Sequence, residues 1–338
     1  MLLEKPVMER SPAAQLAAVR PQCCSEGCLG LNLRKGAMKM HDKQFRLQFL
    51  GLALILAFST SCNSTPPTAP ITTPTSSVSV TKDVIYATSL QEDGKIWTVD
   101  VYTPVEAGDR PIVVLLHGLG GSKEGYRRVS KIIAESGVTV FTVTWPVSIV
   151  DIAAKDNGRG YREIFEAGAC AIRFARATAT DVSGDAHHVT LIAHSYGALY
   201  GAWIALASDD LDAQWDEFLV DRNGPLAQVD CARSSYSAHV DAFIGIGGGR
   251  YADAEVLQVR DPELWKIVSP FSHFGRNLDV PIRLLHGERD TRANPEKSQM
   301  FNDLLLEAGY DSRVILFDGG HIVPSQLTIE TIFELASK

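Results

Sequence analysis

Apolar and polar positions along this chain fall into a repeating order. Short, near-continuous apolar runs alternate with longer segments in which apolar residues return every three or four positions. Runs such as Ile112-Val-Val-Leu-Leu116 show no polar alternation, which is how strands covered on both faces read. The pattern predicts strands over Asp83–Ser89, Ile96–Tyr102, Pro111–His117, Val138–Thr144, His188–Ala193, Asp241–Ile246, Pro281–His286 and Arg313–Phe317. It predicts helices over Tyr126–Glu135, Tyr161–Thr178, Tyr196–Ala207, Pro295–Ala308 and Pro324–Ser337. A short turn around Asp93-Gly94 joins the first two strands as a hairpin. The expected class is α/β: about eight strands in a mostly parallel sheet, helices on both faces, one domain over 83–338.

The front of the chain breaks this rhythm. Lys43 and Arg46 precede an apolar run of ten residues, Phe49 to Phe58, and Ser59-Thr-Ser-Cys62 closes it. That is the layout of an export signal over 40–61; a membrane-crossing helix needs about 20 apolar residues. Residues 1–39 read as an upstream extension. Residues 62–82 begin with the Pro/Thr/Ser tract Asn63–Ser77 and read as an extended tether with nothing to pack. The run into Cys62 resembles a bacterial lipoprotein signal, with Thr60 and Ser61 in pattern and Ser59 where that family usually has Leu. The resemblance implies that Cys62 carries lipid and holds the protein at a cell-envelope membrane. Ser59-x-Ser61 also suits ordinary signal cleavage, which would give a periplasmic or secreted soluble protein.

Cysteine usage bears on the same point. Of six cysteines, Cys23, Cys24 and Cys28 lie ahead of the signal, leaving Cys62, Cys170 and Cys231. With Cys62 lipidated, Cys170 and Cys231 form a candidate disulfide pair in an oxidising compartment; two buried free thiols are the other option. Residues 1–61 hold 8 of the 32 Lys/Arg and 4 of the 40 Asp/Glu, so the remainder carries 24 against 36, a net −12. That balance excludes a nucleic-acid partner, which wants a basic face. No cysteine or histidine pair has metal-ligand spacing and no glycine-rich phosphate loop follows a strand, so neither metal nor cofactor is expected. His187, His188, His194, His239, His273 and His286 are assigned to surface or core. A monomer is expected.

The chemistry concentrates at strand ends. Val189-Thr-Leu-Ile-Ala-His-Ser-Tyr-Gly-Ala-Leu-Tyr-Gly201 is an apolar strand running into small-x-Ser-x-Gly and then a helix. Such a strand-to-helix bend presents a serine hydroxyl beyond the sheet, with Ala193 where the first small residue is usually Gly. Strand Pro111–His117 continues into Gly-Leu-Gly-Gly121, where glycines let backbone N–H groups approach an oxyanion. His117 is read as holding that loop rather than as a base. Pro281–His286 leads to Gly287-Glu-Arg-Asp290, and Arg313–Phe317 to Asp318-Gly-Gly-His321, so an acid and a histidine also follow strands.

In these four motifs, from about Asp83 onward, the chain resembles the α/β-hydrolase superfamily in its esterase and lipase branch. The resemblance implies Ser195 as nucleophile, Asp290 as the orienting acid, His321 as general base, and an oxyanion hole from the N–H groups of Leu119 and Tyr196. It implies hydrolysis of a small-molecule or lipid-like carboxylic ester through an acyl-enzyme. A serine peptidase of the same fold and a non-catalytic surface lipoprotein are the alternatives. A small cap is expected over about 208–239, where Trp215, Phe218, Leu219 and Tyr236 would either line an acyl pocket or pack as a plain helix. Trp145 is the stronger candidate for the pocket.

Overall fold

The structure is a computed structural model that describes residues 77–90, 94–106, 108–147, 159–220, 228–322 and 324–337. The upstream extension, the export signal, Cys62 and the tether as far as residue 76 lie outside the described residues.

In chain order the elements are β1 (Val78–Ser89), β2 (Ile96–Pro104), β3 (Arg110–Leu116), α1 (Arg127–Glu135), β4 (Thr139–Val143), α2 (Arg159–Ala177) and β5 (Gly184–His194). There follow α3 (Tyr196–Ala207), α4 (Leu211–Val220), β6 (Val229–Cys231), β7 (Ala242–Ile246), α5 (Leu257–Arg260) and α6 (Pro262–Val268). The chain ends with β8 (Ile282–Gly287), α7 (Pro295–Glu307), β9 (Ser312–Phe317) and α8 (Ser325–Ala336). They build one nine-stranded sheet in the order β6-β1-β2-β4-β3-β5-β7-β8-β9. Strands β4, β3, β5, β7, β8 and β9 pair in parallel; β6, β1 and β2 form an antiparallel flank.

Strand periodicity divides the core between the two faces. On β3, Ile112, Val114 and Leu116 enter one apolar cluster while Val113 and Leu115 enter the other. Helices α2, α3 and α7 supply the first cluster with Phe165, Ile172, Trp203 and Phe301; α1 and α8 supply the second with Ile133 and Ile332. Helix α3 is apolar and buried all round from Gly197 to Ala207, as a helix laid directly on the middle of a sheet must be. Local signals fix the helix starts. Asp261 caps α6 by accepting the Leu264 N–H, and Asn294 caps α7 by accepting that of Glu296, with proline next in each case.

The tether and the expected cap are the segments whose placement differs most from expectation. The tether was expected to reach residue 82, but β1 begins at Val78, and Val78 to Thr81 pair with Pro104 to Val101. The alternation Val78-Ser-Val80-Thr81 is β-branched and suits a pleated edge; its serine and threonine content hid it behind the Pro/Thr/Ser tract. The segment expected as a cap over 208–239 packs, in its described part, into the domain itself. Trp215 and Leu219 of α4 are fully buried, Trp215 with its ring centroid 6.2 Å from that of Trp203, and β6 extends the sheet beside β1.

That edge strand is fastened by one face of α2. Glu166 accepts the N–H groups of Gln228 and Val229 at 2.7 and 2.9 Å and is itself held by Arg162 at 2.6 Å. One turn further on, Cys170 forms a disulfide with Cys231, with Cα atoms 5.4 Å apart. Arg162, Glu166 and Cys170 are successive i, i+4 positions, so a single stripe of the helix holds the strand.

Candidate active site

The bend after β5 has the backbone strain its motif calls for. Ser195 sits at φ 58°, ψ −124°, a positive φ that costs a non-glycine residue of order 1–3 kcal/mol unless its surroundings impose it. The surroundings do: the Ser195 N–H donates to the Ile246 carbonyl at the end of β7 (2.7 Å), and its carbonyl accepts from Ala198 inside α3. Small residues permit the bend. A Cβ on Gly197 would lie 2.6 Å from the His117 carbonyl oxygen, and one on Gly118 would lie 2.8 Å from the Ser195 Cβ. The end of β3 therefore rests directly against the bend.

The turns after β8 and β9 are laced together. Glu288 N–H donates to the Phe317 carbonyl (3.0 Å) and Arg289 N–H to that of Gly319 (2.9 Å). This brings Asp290 and His321 into line with Ser195, although the three come from separate strands. His321 Nδ1 lies 2.7 Å from Asp290 Oδ2, and its Nε2 lies 2.8 Å from Ser195 Oγ. Asp290 Oδ1 accepts the N–H groups of Arg292 (2.8 Å) and Ala293 (3.0 Å). Burial alone would raise the Asp290 carboxyl, but the bonds from His321, Ala293 and Arg292 hold it below the ordinary carboxylate range. The arrangement gives a hydroxyl, a ring nitrogen able to accept its proton, and a carboxylate that fixes the ring's tautomer.

Leu119 follows Gly118, where an added Cβ would lie 2.8 Å from the Ser195 Cβ, and Tyr196 follows Ser195 itself. Tyr196 opens α3, where the first N–H groups have no intrahelical acceptor and the helix dipole favours negative charge. The Leu119 loop is anchored from behind. Lys123, itself buried, binds Asp83 and Asp100 at 2.5 Å each, and the Asp83 N–H donates to Asp100. His117 is buried with Nδ1 3.0 Å from the Gly118 carbonyl, and burial pushes its imidazole below the usual histidine range. Among the described residues no group of three or more His, Cys, Asp or Glu side chains is set to hold a metal ion.

Residues 113–326 match the model of the alpha/beta hydrolase family. The chain belongs to that family. Solved structures it resembles include a thermophilic esterase, Est2, from the planctomycete Thermogutta terrifontis, at 18% identity and TM-score 0.52 over 79% of this chain and 91% of that one. A truncated carbohydrate esterase from gut microbiota is 18% identical with TM-score 0.56 over 78% and 98%. A bifunctional GH43-CE protein of Bacteroides eggerthii is 17% identical with TM-score 0.55 over 76% of this chain and 38% of that one. No curated protein matches the chain.

Within this alpha/beta hydrolase two expectations about side chains change. Trp145, expected to wall a pocket, is only 2% exposed; its indole N–H donates to the His117 carbonyl (3.1 Å) and it packs edge-on to Tyr200. It holds the backbone where β3 runs into the Gly118–Gly121 loop. Two histidines assigned to surface or core also lie against the site. His286, fully buried at the end of β8, has Nε2 3.2 Å from Asp290 Oδ2 and Nδ1 2.8 Å from Ser298 Oγ. His194 lies with its ring centroid 4.9 Å from that of His321. Their signal was sequence proximity: His194 directly precedes Ser195, and His286 stands four residues before Asp290. Neither has a partner at ligand spacing. Lys123 and Tyr126 carried no sequence signal, because their partners are distant in the chain.

Proposed function

We propose that this alpha/beta hydrolase cleaves carboxylic esters through an acyl-enzyme. The observation that carries the reading is a strained serine whose hydroxyl is 2.8 Å from a histidine nitrogen, with the ring's other nitrogen on a buried aspartate. Ser195 Oγ attacks the ester carbonyl carbon as its proton passes to His321 Nε2, and the carbonyl π pair moves onto oxygen. The N–H groups of Leu119 and Tyr196 receive that oxyanion. Collapse expels the alkoxide, which leaves as the alcohol after taking the proton from Nε2. Water then repeats the sequence on the acyl-enzyme, releasing the acid and restoring Ser195. Asp290 accepts the hydrogen bond from the His321 Nδ1–H throughout, and that proton stays on the ring.

Esterase 2 of T. terrifontis is phosphorylated by paraoxon, and its structure has been solved with propionate and with butyrate. An organophosphate and short acyl esters are accordingly the first probes here. One organophosphoryl group should attach per chain, at Ser195, and Ser195→Ala should lose both labelling and ester turnover by several orders of magnitude while staying folded. Turnover of aminoacyl amides in preference to esters would favour a peptidase. No turnover and no labelling in the wild type would favour a binding protein.

We also propose export and lipid attachment at Cys62. The Cys170–Cys231 disulfide supports an oxidising compartment. Fatty-acid labelling lost in Cys62→Ser would bear this out; equal label in both, or none in either, would point to ordinary cleavage or no export.

A further inference from the structure

Behind Ser195 and His321 runs a chain of polar contacts that the acyl-enzyme scheme leaves without a role. The Gly118 N–H donates to the Tyr126 hydroxyl oxygen at 3.4 Å. Tyr126, just ahead of α1, has that oxygen 2.5 Å from His194 Nδ1. His194 Nε2 in turn lies 3.1 Å from the backbone carbonyl oxygen of His321. The chain thus links the oxyanion loop, the bend and the loop that carries the base.

Its proton positions follow from the donor inventory. The His321 carbonyl can only accept, so Nε2 of His194 carries the proton. A neutral ring then leaves Nδ1 as an acceptor, which makes the Tyr126 O–H the donor to it. The tyrosine oxygen keeps its lone pairs for the Gly118 N–H. Every contact is satisfied in one arrangement, and that arrangement requires His194 to be neutral.

We infer that Tyr126 and His194 are positioning residues, which hold the Gly118–Leu119 oxyanion loop and the His321 loop in register on either side of Ser195. The inference rests on the ester-hydrolase reading above. Neutrality matters twice. A protonated Nδ1 would face the Tyr126 hydroxyl as a second donor and leave its hydrogen without that acceptor. A cationic His194 would also sit beside His321 as that ring takes up the serine proton, and two cations at this separation oppose each other. The rings are 4.9 Å apart. Burial drives the His194 imidazole down to about 4, and the His321 carbonyl favours its charged form only in part. The charged groups that reach it are Asp290, which favours protonation, and His321 and Arg292, which oppose it. Burial also raises Tyr126 above the ordinary phenol range, keeping it a donor.

The test compares Tyr126→Phe, His194→Leu and His194→Gln with wild type on a short acyl ester near neutral pH, with Ser195→Ala in parallel. Losing one hydrogen bond that orders the oxyanion loop should lower kcat about tenfold in Tyr126→Phe. Losing both linkages should lower it about a hundredfold in His194→Leu, with KM within about twofold for each variant. His194→Gln, which offers one N–H and one acceptor, should recover most of the loss. Proton–nitrogen correlation of the His194 ring should show a neutral Nε2–H tautomer. Wild-type kcat in Tyr126→Phe, a loss confined to KM, a glutamine no better than leucine, or a cationic or Nδ1–H ring would each overturn the inference. Should His194→Leu not fold, Tyr126→Phe and the ring tautomer decide. An active Ser195→Ala would instead bring down the hydrolase reading itself, whatever the other variants do.

Discussion

Asp290 meets His321 through a single carboxylate oxygen, Oδ2, while its Oδ1 is taken up by two backbone N–H groups. This asymmetry fixes what an amide would do at position 290. An asparagine would keep its carbonyl oxygen on the Arg292 and Ala293 N–H groups and turn its NH2 toward His321. The ring would then bare Nδ1 and carry its proton on Nε2, where it faces Ser195 and cannot accept.

Asp290→Asn should accordingly lower kcat by about 10⁴ with the fold intact, the scale at which the same change acts in serine proteases. Glu288 is exposed on the same turn, while Asp290 is the carboxylate bonded to His321, and Glu288→Gln should stay within about twofold of wild type. Measuring kcat for both folded variants checks the assignment; a crippled Glu288→Gln would move the acid.

The contact between β3 and the bend gives a steric test. A methyl on Gly197 would press on the His117 carbonyl at 2.6 Å, and that oxygen already holds the Trp145 indole. Neither partner can yield, because one is backbone and the other is buried. Gly197→Ala should shift the oxyanion loop and cost on the order of 10²-fold in kcat, the usual effect of misplacing a reacting group by about an ångström. Gly125→Ala, where a Cβ would meet nothing within 4 Å, should leave kcat unchanged. Equal kcat in the two variants would remove the loop from the argument.

The sheet and the elements that carry Ser195, Asp290 and His321 were legible because their signals are local. The central strands are unbroken apolar runs; Ser195 directly follows one, and Asp290 and His321 stand on the short turns after β8 and β9. What escaped depends on tertiary contact. Strand β6 has three residues, Val229 to Cys231, and is held in place by Glu166 and Cys170 from more than fifty positions away, so no periodicity could announce it. Trp145 looked like a wall because it follows a strand end; only the placement of His117 shows that its N–H has a partner. His194 and His286 carry no spacing signal of their own, because His194 meets the His321 ring only when the ends of β5 and β9 converge, and His286 meets Asp290 only through the turn after β8. Lys123 is a surface residue by composition, and only the pairing of β1 with β2 brings Asp83 and Asp100 to it.

The disulfide should matter to stability more than to catalysis. Cys170 and Cys231 close a loop over a sequence separation of 61 residues, and loop-closure entropy then stabilises the fold by about 4 kcal/mol. The paired replacement Cys170→Ser/Cys231→Ser should lose stability of that order by denaturant unfolding. Because β6 lies at the sheet edge farthest from β8 and β9, kcat of the folded fraction should stay within about threefold. A large fall in kcat at full foldedness would tie the edge strand to the site.

Acid sensitivity has a separate source, and its sign can be worked out. His273 is fully buried; Nε2 donates to the Ile267 carbonyl at 2.7 Å and Nδ1 has no partner among the described residues. Burial pushes the imidazole from 6.5 down to about 4, the Ile267 carbonyl offsetting only part of that. Above 6.5 neither the folded nor the unfolded chain protonates this ring, so its neutral state costs nothing. Between 6.5 and about 4 the unfolded chain binds a proton that the folded chain refuses, and stability falls as pH falls. The slope for one such group is about 1.4 kcal/mol per pH unit, or roughly 3 kcal/mol across the window. Asp290 acts elsewhere: its lowered carboxyl keeps its contribution until pH drops below the ordinary carboxylate range of about 3.9. Denaturant unfolding from neutral to mildly acidic pH should therefore show a steep loss in wild type. His273→Gln, which keeps an N–H for Ile267 and cannot titrate, should be less stable near neutral pH but shallower by about 1.4 kcal/mol per pH unit. Parallel slopes in the two proteins would mean that the folded chain protonates His273 as readily as the unfolded one, and that its burial does not drive the acid loss.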